Sequence, residues 1–175
     1  MENKMQRKNV IILITLMCVV GTCMHFVCDV IPEGTLRNIL ANIFPANETS
    51  WEHMKMIWFP FMVAGIVISI KYKRKGYFGG FVVGGILAIL VQIGLFAIYE
   101  SFTGTTVLIL DIIFYMGDMI LSALLALVLS ERKWAKALIV WIIVAVIVTI
   151  LIVYLTYYPG TGYVFLDDVG LAGIV

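Results

Sequence analysis

Residues 138–157 read Leu138-Ile-Val-Trp-Ile-Ile-Val-Ala-Val-Ile-Val-Thr-Ile-Leu-Ile-Val-Tyr-Leu-Thr-Tyr157, a β-branched run without a charge and with Thr149 alone in its centre. About twenty residues at about 1.5 Å each cover roughly 30 Å, the thickness of a bilayer's hydrocarbon core. The run is too long for one strand and too uniformly apolar for a helix with one face in water, so it reads as a membrane-spanning helix. Extended back to Trp134, it is the last of five such runs, at about 9–31, 54–71, 77–99, 105–130 and 134–157. Composition agrees: 62% of residues are hydrophobic and 13% charged, against roughly 45–50% and 25% in soluble domains, and mean hydropathy is +1.06. An open sheet would leave its edges unpaired in lipid. The expected fold is an all-α integral membrane protein, five transmembrane helices forming one helical domain over residues 1–175.

Charge orders these spans. Lys4, Arg7 and Lys8 precede the first, Lys71, Lys73, Arg74 and Lys75 follow the second, and Arg132, Lys133 and Lys136 follow the fourth, so ten of the twelve basic residues fall on one side. Cytoplasmic loops carry such an excess of Lys and Arg. The N-terminus is expected in the cytoplasm and the C-terminus outside, with an outer loop at 32–53 and an outer tail at 158–175. Asp29, Glu33, Glu48, Glu52, Glu100, Asp167 and Asp168 then lie at or beyond the outer surface. A net charge of +1 gives no general pull on nucleic acid. The partner implied is the lipid bilayer, with a homo-oligomer or another membrane protein as further alternatives. The basic N-terminus resembles a signal peptide, but the apolar run continues to Ile31 without an Ala-x-Ala-like site, which predicts an uncleaved first span. Cys18, Cys23 and Cys28, five apart and so about 140° apart on a helix, read as small apolar packers rather than a disulfide framework or metal cluster.

The outer loop holds the densest polar stretch, Phe44-Pro45-Ala46-Asn47-Glu48-Thr49-Ser50-Trp51-Glu52-His53-Met54-Lys55. Thr49-x-x-Glu52 is a capping box that starts the second helix at Ser50, the hydroxyl accepting from an early backbone N–H and the carboxylate reaching back to the cap. Ile31-Pro32-Glu33-Gly34 ends the first span, and Thr35–Phe44 has the spacing of a short amphipathic helix. Pro60 should kink the second span and free a carbonyl. His25 and Asp29 are four apart, on one face near the outer interface, about 24 and 30 Å along the first span. Gly76, Gly80 and Gly84 mark a face where another helix approaches closely. Gln92 lies about 22 Å along the third span, and Asp111 and Asp118 lie about 9 and 20 Å below the outer start of the fourth on a shared face. A carboxylate near mid-membrane normally faces the bundle interior with a partner or a proton. Tyr115 and Thr22 are at suitable depth to partner Asp118.

The motif Pro45-x-Asn47-Glu48-Thr49-x-Trp51-Glu52-His53-x-Lys55, with His25 before it and Phe102-Thr103-Gly104 and Asp111 after it, resembles the signature Pro-Val-Asn-Glu-Ser-x-Trp-Glu-His-x-Lys of an uncharacterised family of small bacterial multi-pass membrane proteins. The likeness extends over most of the chain. Pro159, Phe165 and Asp167 fit a looser Pro–Phe–Asp pattern in the tail. The resemblance implies a bacterial five-span protein of the cytoplasmic membrane and brings no activity with it.

Three function classes follow from the polar residues. In the first, His25, Asp29 and His53 ligate a divalent metal such as zinc near the outer headgroups, and Glu48, Glu52 and Asp111 supply acid–base groups for a hydrolase or transferase on a lipid-type substrate. In the second, Gln92 and Asp118, with Asp111, line a path for a proton or an ion in a small transporter or binding protein. The third is a non-catalytic subunit of a membrane complex.

Overall fold

The computed structural model describes residues 5–47, 49–104 and 107–158. They form six helices: α1 (Arg7–His25), α2 (Thr35–Leu40), α3 (Ser50–Tyr72), α4 (Gly76–Thr103), α5 (Leu108–Leu129) and α6 (Leu138–Tyr157), with a 3₁₀ turn at Trp134–Lys136 before α6. Five are long and apolar enough to cross a membrane. No strand occurs among the described residues. The expected runs differ from these helices mainly at their ends. α1 stops at His25 rather than Ile31, α4 continues to Thr103, and Trp134 belongs to the short turn.

Prolines explain much of the local architecture. A proline cannot donate to the carbonyl four residues before it, so Pro32, Pro45 and Pro60 release the carbonyls of Cys28, Ala41 and Met56. Each is taken up by a side chain from elsewhere. Arg37 Nε donates to Cys28 O at 3.2 Å, Lys55 Nζ to Ala41 O at 2.6 Å, and the Tyr115 hydroxyl to Met56 O at 3.3 Å. The carbonyl expected from Pro60 is therefore present, and it anchors α5 to α3. Tyr115 serves that carbonyl rather than Asp118, and the Thr22 hydroxyl bonds its own helix at Cys18 O, 2.9 Å away.

α3 begins as the capping box predicts, with Thr49 Oγ1 accepting the Glu52 N–H at 3.3 Å. The reciprocal half differs. Asn47 Oδ1 takes the Thr49 N–H at 3.0 Å, which leaves the Glu52 carboxylate for other partners. At its far end α3 closes on Lys73 in the left-handed region, φ 54°, with the Arg74 N–H reaching back to Ser69 O at 3.1 Å. Arg74 also holds Glu131 at 2.7 Å, tying the α3–α4 turn to the α5–α6 turn.

α4 is the central helix, packing most extensively on α5 and α3 and also meeting α6, while α1 lies against α3 and α5. Its glycines set the α4–α5 separation: a Cβ on Gly76 or Gly80 would run into the backbone of Ser130 and Ala126, and one on Gly84 into Ala126 Cβ at 2.6 Å. Trp58, Phe61, Phe81 and Met119, all fully buried, lie in one connected apolar cluster. α6 is the least embedded of the five long helices, with only Ala145, Ile152 and Thr156 buried.

Candidate functional site

The basic residues between α3 and α4 and between α5 and α6 share one end of the bundle with the start of α1. At the opposite end the chain gathers two polar clusters around the first turn of α3.

The first cluster is a buried ion pair. Glu52 and Lys55 are 2% and 0% exposed, and Lys55 Nζ lies 2.6 Å from Glu52 Oε2. The same carboxylate oxygen accepts the Ala46 N–H at 2.8 Å, and Oε1 accepts the Thr156 hydroxyl of α6 at 3.0 Å. With Ala41 O as the second acceptor for Lys55, both charges have partners, the condition under which a buried pair is tolerated. Arg37 extends the cluster by donating to Ala46 O at 3.1 Å through one terminal nitrogen and lying 3.9 Å from Glu33 through the other. Cys28, 1% exposed beside it, is held as a thiol because burial pushes its pKa up.

The second cluster joins α1 to α3. His25 ends α1, His53 lies one turn into α3, and their Nε2 atoms approach to 3.2 Å. His53 Nδ1 lies 2.9 Å from Thr49 O. A carbonyl can only accept, so His53 carries a hydrogen on Nδ1 and turns Nε2 toward His25. His25 Nδ1 faces Asp29 Oδ2 at 3.8 Å. His53 is thus oriented from behind by a carbonyl oxygen on its Nδ1 side, while Asp29 stands near His25 beyond hydrogen-bond distance. The rings stand edge to face with centroids 4.9 Å apart, and Phe26 stacks on His25 at 5.1 Å. Gly21, one turn before His25, permits the approach of α1: a Cβ there would meet the Tyr115 hydroxyl and, at 2.6 Å, Met56 O.

The remaining expected site residues lie elsewhere. Asp111, in the first turn of α5, accepts the Tyr99 hydroxyl of α4. Asp118 is 4% exposed, with Oδ1 accepting the Ser122 hydroxyl at 2.9 Å and Oδ2 buried without a hydrogen-bond partner. Gln92 is 2% exposed, and both atoms of its amide lack partners. Glu48, Asp167, Asp168 and the tail motif fall outside the described residues. The expected cluster therefore divides: His25, Asp29 and His53 come together, Glu52 turns to Lys55, and Asp111 turns to Tyr99. Among the described residues no set of three or more His, Cys, Asp and Glu side chains is arranged to hold a metal.

Lys55, Arg37, Thr156 and Tyr99 carry these clusters without having been singled out from sequence. For Lys55 the signal was present, since a lysine three residues after a glutamate shares its helical face. Thr156 and Tyr99 act across helices, where sequence spacing carries no information.

No curated protein and no solved structure matches the chain. A family model matches residues 1–174. The chain belongs to the family of unknown function DUF6512.

Proposed function

We propose that this is a multi-pass protein of a bacterial cytoplasmic membrane, N-terminus inside, that binds a divalent metal ion between His25 and His53 near the outer headgroups. The membrane part is supported by the five long apolar helices and by the surface of α6, where Ile139, Val140, Ile143, Val146, Ile147 and Ile150 are all exposed. Soluble monomers rarely expose apolar patches beyond a few hundred Å². The orientation rests on the basic residues collected at one end.

The metal part is carried by one observation, the pair of Nε2 atoms 3.2 Å apart with the His53 Nδ1 backed by Thr49 O. Two nitrogens bound to a tetrahedral zinc at about 2.0–2.1 Å stand roughly 3.3–3.4 Å apart. Histidine ligands ordinarily turn the other ring nitrogen to a carbonyl or carboxylate, the role Thr49 O fills for His53, with the Asp29 carboxylate 3.8 Å from His25 Nδ1. An ion held by His25 and His53 would supply Lewis-acid polarisation of a water or a lipid-type headgroup oxygen. Glu52 and Asp111, engaged with Lys55 and Tyr99, do not face it, so the chemistry attributed to this site is ion binding and polarisation of a bound oxygen.

Protein purified in detergent, equilibrated with Zn²⁺ and freed of excess by gel filtration should retain about one ion per chain. His25→Ala and His53→Ala should each abolish retention, while Asp29→Asn should weaken it about tenfold and Cys23→Ser should leave it unchanged. Wild-type protein that retains no zinc, or retention that survives both histidine variants, removes the metal reading.

A second reading, an internal proton or cation site, is favoured by Gln92 and Asp118. Gly84 of α4 faces Ser122 and Ala126 of α5. Beyond that contact, toward the histidine end, Asp118 lies about 6 Å along α5 and Gln92 about 12 Å along α4. Buried polar atoms without partners at such a place are suited to hold a proton, a water or a cation. An infrared carboxyl band that disappears in Asp118→Asn and responds to Na⁺ or to pH in the wild type is the expected result. A band indifferent to both assigns Asp118 to a structural hydrogen bond.

A further inference from the structure

α3 and α6 touch only along a margin, and between them runs a groove of about 780 Å³, well within the roughly 300–1,000 Å³ of small-molecule sites. Its walls are apolar: Met62, Ile66 and Ile70 from α3, and Ile142, Val146 and Ile150 from α6. Toward mid-bundle it reaches Thr149, whose Oγ1 accepts the Trp58 indole N–H at 2.9 Å. At the basic end Lys73 and Lys75 line its mouth. From Leu138 to Ile150 the groove runs about 18 Å along α6, a little over half of a hydrocarbon core about 30 Å thick. Its length is that of one leaflet.

The two lysines are available for an anion. Among the described residues neither is in an ion pair, whereas Arg74 between them is engaged with Glu131 at 2.7 Å. Ser69, one turn before Lys73, also lines the groove, and its hydroxyl has no hydrogen-bond partner. A phosphate at the mouth, an ester just inside and an alkyl chain along the wall match these features in order.

We propose that the α3–α6 groove binds one acyl chain of an anionic phospholipid from the leaflet at the basic end, its phosphate held by Lys73 and Lys75. The proposal rests on the reading of the chain as membrane-spanning and is independent of the histidine site.

Lys73 provides an unusual control. Its φ of 54° is a conformation that suits glycine better than any residue with a Cβ. Lys73→Gly therefore removes the charge while easing the helix end, so lost binding cannot be ascribed to lost folding. Full-length protein in detergent is titrated with phosphatidylglycerol or phosphatidylcholine of identical chains and read by native mass spectrometry. One phosphatidylglycerol per chain is expected, preferred about tenfold or more on the strength of two interfacial lysines. Lys73→Gly/Lys75→Gln should bring the two lipids level with melting unchanged or raised, and Val146→Trp, which fills the groove, should remove adducts of both. Equal wild-type adducts, a preference that survives the double variant, or a homodimer that excludes lipid from this face each overturns the proposal. Carbonate washing of membranes separates the two readings: extraction of the protein rejects membrane insertion, whereas an integral protein indifferent to headgroup rejects only the lipid site.

Discussion

Lys55→Met is expected to destabilise the protein by about 3–5 kcal/mol, the cost of stripping one partner from a buried ion pair. The variant keeps the volume of the side chain and deletes its charge. Glu52 is then left as a carboxylate 2% exposed with only the Ala46 amide and the Thr156 hydroxyl as donors, and Ala41 O loses the donor that compensated for Pro45. Glu52→Gln should cost a similar amount, because it leaves the ammonium without a counter-charge. The double variant Glu52→Gln/Lys55→Met should be less harmful than the sum of the two, since residues in contact couple by about 0.5–3 kcal/mol. Denaturant unfolding in micelles reads all three. A Lys55→Met protein within about 1 kcal/mol of wild type would mean that the pair behaves as a solvated surface contact.

The second large effect is expected at the α4–α5 contact. Gly80→Ala places a Cβ against Ser130 Oγ, against the carbonyl of Ala126 and, at 2.8 Å, against the Ser130 nitrogen. Two of these are backbone atoms that cannot swing aside, so the helices must separate, at an overpacking cost of about 1–3 kcal/mol or more. Gly94, on the same helix, has nothing within 4 Å of its would-be Cβ. Gly94→Ala should therefore be neutral or stabilising by up to about 1 kcal/mol. Opposite signs from one substitution at two positions of α4 are the expected outcome. A Gly80→Ala protein as stable as Gly94→Ala would contradict the close approach.

What the sequence made legible was what a single helix or a single bond determines. Five long apolar runs, the start of α3 at Ser50, the carbonyl freed by Pro60 and the glycine face of α4 all follow from local rules about length, capping, missing donors and side-chain size. The polar clusters depended on azimuth. His25, Glu52, His53 and Asp111 were all expected at similar depth, yet depth says nothing about which way a side chain points once four helices have packed. Glu52 turned toward Lys55 because Asn47 had taken over the cap. Asp111 met Tyr99 because α4 and α5 pack together with these two side chains facing each other, which depth along a span does not reveal. Lys55 had no assigned partner for a related reason: only the fold brings Ala41 O to its ammonium beside Glu52.

Thr156 lies 104 residues after Glu52, and a ribosome delivers the two in that order. While α6 is still unmade, the Glu52 carboxylate already has Lys55 and the Ala46 amide within reach but no hydroxyl for its second oxygen. The polar knot around Glu52 is complete only once α6 docks. One threonine of the last helix therefore closes a cluster that the first half of the chain builds.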